Sequence, residues 1–178
     1  MKAKYQKDLY RYYGKPETFR QRLLRSLEMR YIVLLRKRQA SSGLIGKWYG
    51  VRPHFLSQKT MIQIPQCTKI GERFYIGHLG RVIINGDSVI GRNVNIATGV
   101  TIGQENRDER RGCPTIGDRV WIGTNAVVVG KIHIGDDVLI APLAFVNFDV
   151  LSHSIVVGNP GRIIPSENAT EAYIEKTV

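Results

Sequence analysis

From Ile84 onward, an aliphatic residue returns at every sixth position. The series runs Ile84, Ile90, Ile96 and Ile102, then restarts after a gap as Ile116, Ile122, Val128, Ile134, Ile140 and Val146. The next residue is usually small: Gly91, Ala97, Gly103, Gly117, Gly123, Gly135 and Ala141. The residue two before is small or branched, from Val82 and Ser88 through Val138 and Ala144. Ile70-Gly71 and Ile76-Gly77 carry the same pattern, shifted by two residues.

A period of six suits neither an α-helix nor a strand of alternating faces. It suits a mainly β fold, a parallel β-helix of hexapeptides. Each hexapeptide is one short flat strand, and each corner must turn sharply. The aliphatic side chain points inward and stacks on its counterpart one coil away. A small residue follows because the corner is crowded. Three hexapeptides make a triangular coil of about 18 residues, so residues 64–160 supply about five coils.

The polar stretch QENRDERRGC, residues 104–113, falls between two regular blocks. It predicts a loop extruded from one corner. The chain then divides into a basic helical segment (1–60), a coil domain (61–165) and a polar tail (166–178). With 178 residues there is room for one sizeable core.

Charge is uneven along this division. The net charge is +11, yet residues 1–60 carry 15 Lys and Arg against Asp8, Glu17 and Glu28, while residues 61–178 carry 11 against 12 acids. The basic third suits an anionic partner. No nucleic-acid-binding motif accompanies the charge, so nucleic acid is set aside. Residues 17–40 predict one helix, with Phe19, Leu23, Leu24, Leu27, Tyr31, Leu34 and Leu35 on an apolar face ringed by arginines. That face either caps the end of the coil or makes a peripheral contact with anionic lipid. Residues 41–60, with Gly43, Gly46, Gly50 and Pro53, predict short helical or loop pieces.

Cys67 and Cys113 form neither a disulfide framework nor a CxxC pair, and no metal is expected. The start, MKAKYQKDLY, lacks the apolar stretch of a secretory signal, and the apolar run at 31–35 is too short to span a bilayer. A cytoplasmic location is expected, at the inner membrane surface if the basic segment meets lipid.

The stretches TKIGERFYIGHLGRVIINGDSVIGRNVNIATGVTIG and PTIGDRVWIGTNAVVVGKIHIGDDVLIAP, closed by VVGNPGRII, resemble the hexapeptide-repeat acyltransferases. The resemblance covers about 100 residues. It implies a left-handed β-helix, which periodicity alone does not show. The serine acetyltransferase branch is most similar, in particular the O-acetyltransferases of capsular and exopolysaccharide synthesis. The resemblance further implies acetyl-CoA as acyl donor, a hydroxyl acceptor, a homotrimer with sites between neighbouring β-helices, and a histidine base.

The matching histidine is His78, in GHLGRV, where the register slips by two. An imidazole with an ordinary pKa of about 6.5 can accept a hydroxyl proton as attack proceeds. The family's partner carboxylate is replaced here by Gln63, which can fix a tautomer but cannot offset imidazolium charge. Gly77 replaces an Asp, and Gly112-Cys113 replaces an Arg-His pair in the extruded loop. Three groups that would hold a zwitterionic amino acid are missing. The expected acceptor is therefore a carbohydrate hydroxyl, in surface polysaccharide synthesis. The alternatives are L-serine, in cysteine biosynthesis, and a catalytically silent scaffold.

The positions that match the family's acetyl-CoA groove are Gly103, Thr124, Pro142, Asn147, Phe148 and Arg162. The guanidinium of Arg162 suits a CoA phosphate. Trp121 points outward by register and reads as groove or interface. Cys113 reads as a small replacement for histidine rather than a nucleophile. His133 reads as a surface or interface position and His54 lies in the N-terminal segment, while His153 reads as a surface position near enough the closing motif to touch cofactor.

Overall fold

The computed structural model describes residues 4–43 and 55–177. Its body is a parallel β-solenoid of about five turns with three faces, consistent with the left-handed winding that the resemblance implies. Face A stacks β1 (Ile62–Gln63), β4 (Val82–Ile84), β7 (Thr101–Gly103), β10 (Val127–Val129) and β13 (Phe145–Val146). Face B stacks β2 (Lys69–Ile70), β5 (Val89–Ile90), β8 (Thr115–Ile116) and β11 (His133–Ile134). Face C stacks β3 (Tyr75–Ile76), β6 (Asn95–Ile96), β9 (Val120–Ile122), β12 (Val138–Ile140), β14 (Ser154–Val157) and β15 (Arg162–Pro165). Corners are named below by the faces they join.

The inward ladder is the core. All ten aliphatic residues from Ile84 to Val146 are buried, and so is the smaller set two residues before them. Each face stacks like on like: Ile70, Ile90, Ile116 and Ile134 align on face B, and Ile76, Ile96, Ile122 and Ile140 on face C. The small residues have a steric cause at the BC corner. A Cβ on Gly71 would collide with the carbonyl of Gly91, and one on Gly91 with the carbonyl of Gly117. The AB corner is looser, and Asn85, Val129 and Asn147 occupy the matching positions there.

The coil length is set by register. Ile83 pairs with Thr101, eighteen residues on, and Val120 with Val138. The last coil is two residues shorter, with Val138 pairing with Ser154 sixteen residues on, and two coils are longer. Ile62 pairs with Val82, twenty residues on, so the first CA corner holds two extra residues. Val127 pairs with Thr101, twenty-six residues apart, and the surplus is the loop at the AB corner. That loop is a hairpin closed by the Glu105 and Gly112 backbone pair, 3.0 Å in each direction. The amide of Lys131 donates to the carbonyl of Arg110 at 2.8 Å and holds the hairpin against the next coil.

Three helices form the base: α1 (Lys4–Tyr13), α2 (Phe19–Leu23) and α3 (Leu27–Gln39). The single helix expected over 17–40 is therefore broken. Thr18 and Gln21 build a capping box that starts α2, and Ser26 starts α3 as a separate N-cap. The split divides the apolar face. Tyr31, Ile32 and Leu35 of α3 join the solenoid core, whereas Phe19, Leu23 and Leu24 stay exposed. α1 is an element that composition did not announce, although Tyr5, Leu9 and Tyr12 have helical spacing. Residues 55–60 are also helical. His54, Gly46, Gly50 and Pro53 lie outside the described residues.

The base solves an edge problem. An open first coil leaves backbone groups unpaired. The Tyr12 hydroxyl donates to the Ile76 carbonyl at 2.8 Å and accepts from its amide at 3.1 Å. The Tyr31 hydroxyl accepts from the Ile64 amide at 3.0 Å. Gln39 donates to the carbonyls of Gln66 and Thr68. Polar helix side chains thus stand in for a missing coil. At the other end, β15 folds back antiparallel onto β14.

Candidate functional site

The eight residues singled out from the sequence lie on face A or along its two edges. Gln63 points outward from β1, exposed, beside Ile83 of the next coil. His78 stands in the enlarged CA corner that leads into face A. Gly80 takes a φ of 145° there, and a side chain on it would collide with Thr98. The two surplus residues therefore bulge outward, and both His78 and Leu79 are exposed. This is the geometry that presents an imidazole to an incoming molecule. No hydrogen bond joins Gln63 to His78, so within one chain the imidazole is not oriented by that amide.

Thr124 and Pro142 follow His78 along the same CA edge, linked by the bond from the Leu143 amide to the Thr124 carbonyl at 2.9 Å. Gly103, Asn147 and Phe148 lie along the opposite, AB edge. Gly103 is where the hairpin leaves the coil, and an added Cβ would meet only the Val129 side chain closely, at 3.3 Å. Backbone is therefore open to a ligand at that point. Residues 158–161 close face A: Gly161 donates to the Phe145 carbonyl at 3.0 Å, and the Phe148 ring packs against Gly161. Arg162 follows at once, exposed and free to meet a phosphate.

One chain does not enclose these residues. Those on the CA edge and those on the AB edge are separated by the width of face A. The outward residues between them, Ile83, Thr101, Val127 and Phe145, form a half-buried, largely apolar strip. A cavity of about 620 Å³ lies elsewhere, among the N-terminal helices. Among the described residues no three His, Cys, Asp or Glu side chains converge on a metal position.

Two outward-facing residues meet the tail. Trp121 is half-buried. It stacks on Tyr173 of the tail, with ring centroids 4.8 Å apart, because face C is where the tail returns along the coil. His153 sits at the BC corner, remote from face A, and its Nδ1 lies 3.0 Å from Asp137 and 3.0 Å from the Glu167 carbonyl. The Asp137 bond raises the His153 pKa above its ordinary value. Burial pushes the Cys113 thiol up, which disfavours a reactive thiolate.

Comparison with known proteins agrees with the coil. The bacterial transferase hexapeptide family (six repeats) matches residues 113–147. A serine acetyltransferase of Staphylococcus aureus is 40% identical over 108 residues, 61% of this chain and 51% of that one. One from Bacillus pumilus is 39% identical over 105 residues, 59% of this chain and 48% of that one. The chain thus spans about half the length of these relatives. Among solved structures, Neisseria gonorrhoeae serine acetyltransferase in complex with serine superposes with a TM-score of 0.72 at 27% identity, over 90% of this chain and 67% of that one.

These relatives correct the expectation of a carbohydrate acceptor in polysaccharide synthesis, because all three are named serine acetyltransferase. The physical fault in that expectation is plain. Missing charges at Gln63, Gly77 and Cys113 remove contacts to one substrate without supplying contacts to another. The chain carries the hexapeptide repeat of bacterial transferases and has serine acetyltransferases as its homologues.

Proposed function

We propose that this chain is an acetyl-CoA-dependent O-acetyltransferase whose acceptor is L-serine. The observation that carries the reading is the 40% identity to a serine acetyltransferase over 108 residues. His78 removes the proton from the serine hydroxyl as its oxygen attacks the thioester carbon. The tetrahedral intermediate collapses, the C–S bond breaks, and the CoA thiolate takes the proton from the imidazolium. Gln63 serves as a positioning residue once the site is assembled.

Acetyl-CoA lies along face A, with its pantetheine chain at Gly103 and a phosphate at Arg162. Thr124, Pro142, Asn147 and Phe148 flank it. The half-buried strip on face A and the exposed Leu79 and Leu143 support a homotrimer, in which the β-helix of a neighbouring subunit closes each site. The serine carboxylate falls to the extruded loop. Arg107, Arg110 and Arg111 are all exposed there and take the part that Gly112 and Cys113 cannot. The basic base of the molecule brings the enzyme to an anionic membrane surface.

The test is thiol release from acetyl-CoA with L-serine as acceptor. Wild type should turn over, and His78→Ala should fall by about 10²–10⁴-fold in kcat. A wild type that binds acetyl-CoA yet leaves serine untouched would sink the acceptor assignment. Failure to bind acetyl-CoA at all would leave a scaffold.

A further inference from the structure

We propose that α2 with its C-cap is a docking element for an anionic lipid bilayer, with Phe19, Leu23 and the C-cap Leu24 as its inserted side chains. This deepens the membrane part of the proposed function and is independent of acetyl transfer. The three side chains are 77%, 61% and 69% exposed. Phe19 and Leu23 are one helical turn apart and share a face. The helix break at Ser26 leaves them out of the core that Tyr31, Ile32 and Leu35 enter.

Charge selects the occupant. Lys15, Arg20 and Arg22 are exposed, lie beside the triad in sequence, and have no carboxylate partner among the described residues. Both acids of the segment are already engaged: Glu17 pairs with Arg25, and Glu28 accepts from Ser26. The surface is therefore apolar at its centre and cationic at its rim, the pattern of an interfacial helix on acidic headgroups. Phe19 and Arg22 also line the 620 Å³ cavity, with Tyr10 and Arg73 on its other walls, beside the triad. That cavity gives a phosphate headgroup a place next to the inserted side chains. A second copy of the chain would bring the same cations against these and be repelled. Three side chains on six residues are also far short of the roughly 800 Å² per partner of a stable protein interface.

The experiment is vesicle co-sedimentation of the whole chain. One set of vesicles is phosphatidylcholine with about one-third phosphatidylglycerol, and the other is phosphatidylcholine alone. Wild type should bind the acidic vesicles, weaken as salt rises, and ignore the neutral ones. Phe19→Glu with Leu23→Glu should weaken binding by at least about tenfold, and Arg20→Gln with Arg22→Gln should do the same. All four positions are exposed, and circular dichroism checks the fold. Equal binding to both vesicles, or no effect of either pair, overturns the proposal. So does sedimentation velocity without lipid if Phe19→Glu with Leu23→Glu dissociates an assembly, since the triad would then join copies of the chain. Serine turnover of the same variants without vesicles separates the two readings. Intact lipid binding in a protein that never acetylates serine sinks the enzyme and keeps the dock.

Discussion

Arg36 of α3 and Asp8 of α1 form an ion pair at 2.7 Å with both side chains almost wholly buried. The same guanidinium donates to the carbonyls of Ile70 and Gly71, and Asp8 accepts from the Phe74 amide at 2.9 Å. One pair therefore ties two helices to the first coil. Burial pushes the Asp8 carboxyl up, and Arg36 works against that shift. Asp8→Ala strands a buried cation, and urea unfolding should show a loss of about 3–5 kcal/mol. Asp8→Leu with Arg36→Met should recover part of it, since no charge is left unpaired. Recovery stays incomplete because the Phe74 and Ile70 backbone groups lose partners. A loss near zero for Asp8→Ala would contradict this account of the base.

Glycine at the BC corner should be irreplaceable on steric grounds. The Cβ of Gly91→Ala would press on the backbone of Gly117, which cannot swing aside as a side chain can. Thermal unfolding should register a destabilisation of about 1–3 kcal/mol. Gly103→Ala meets only a Val129 methyl and should fold normally. Its defect should appear as a raised KM for acetyl-CoA with kcat nearly kept. Similar melting curves for the two variants would count against the glycine-column argument.

The tail is held by a clasp whose strength depends on pH. Asp137 accepts from the Thr170 hydroxyl and amide and from the Ala169 amide, and it faces His153 and Arg119. Burial opposes its charge, but the bonds from Thr170 and His153 bring its pKa below the ordinary carboxylate value. His153, raised in the folded state, adds stability that is complete below its ordinary value of 6.5 and is lost as pH rises through the raised one. Asp137 adds stability that is lost only as pH falls through its lowered value. The clasp is thus tightest in mild acid. Hydrogen exchange of residues 166–175 should be slower at about pH 5.5 than at about pH 8.5, beyond the intrinsic change. His153→Gln should erase that difference.

Gln63 offers a graded test of the base. Gln63→Asp places a carboxylate where an amide now stands, which favours the imidazolium form of His78. The acid limb of the kcat/KM profile should then move to higher pH, while Gln63→Ala should leave its position and lower kcat. An unmoved limb in Gln63→Asp would remove Gln63 from the neighbourhood of the base.

Much of the candidate site was legible because it inherits the register of the repeat. The two-residue slip around His78 shows in the spacing of Ile76 and Val82, and the structure turns it into an outward bulge. Gly103, Thr124 and Asn147 fall on the edges of one face because each sits at a fixed offset from an inward aliphatic residue. The acceptor was not legible. It depends on what a neighbouring surface and the 104–113 hairpin present, and substitutions at Gln63, Gly77 and Cys113 describe only what is lacking.

The coil could be read from the chain because its instruction is local and repeats itself. Each inward aliphatic residue meets a copy of itself one coil away, so a single period encodes both strand and partner. The ends obey no period. Asp8 with Arg36, Tyr12 with Ile76, Trp121 with Tyr173, and Lys176 with the Tyr12 carbonyl join residues from 28 to 164 positions apart. Nothing in the spacing of such residues marks them as partners. They meet because an open solenoid leaves backbone groups exposed at its first coil and a bare face C along its length. Folding supplies whatever nearby side chains can satisfy them. The same competition broke the 17–40 helix, sending α3 into the core and leaving Phe19, Leu23 and Leu24 in solvent.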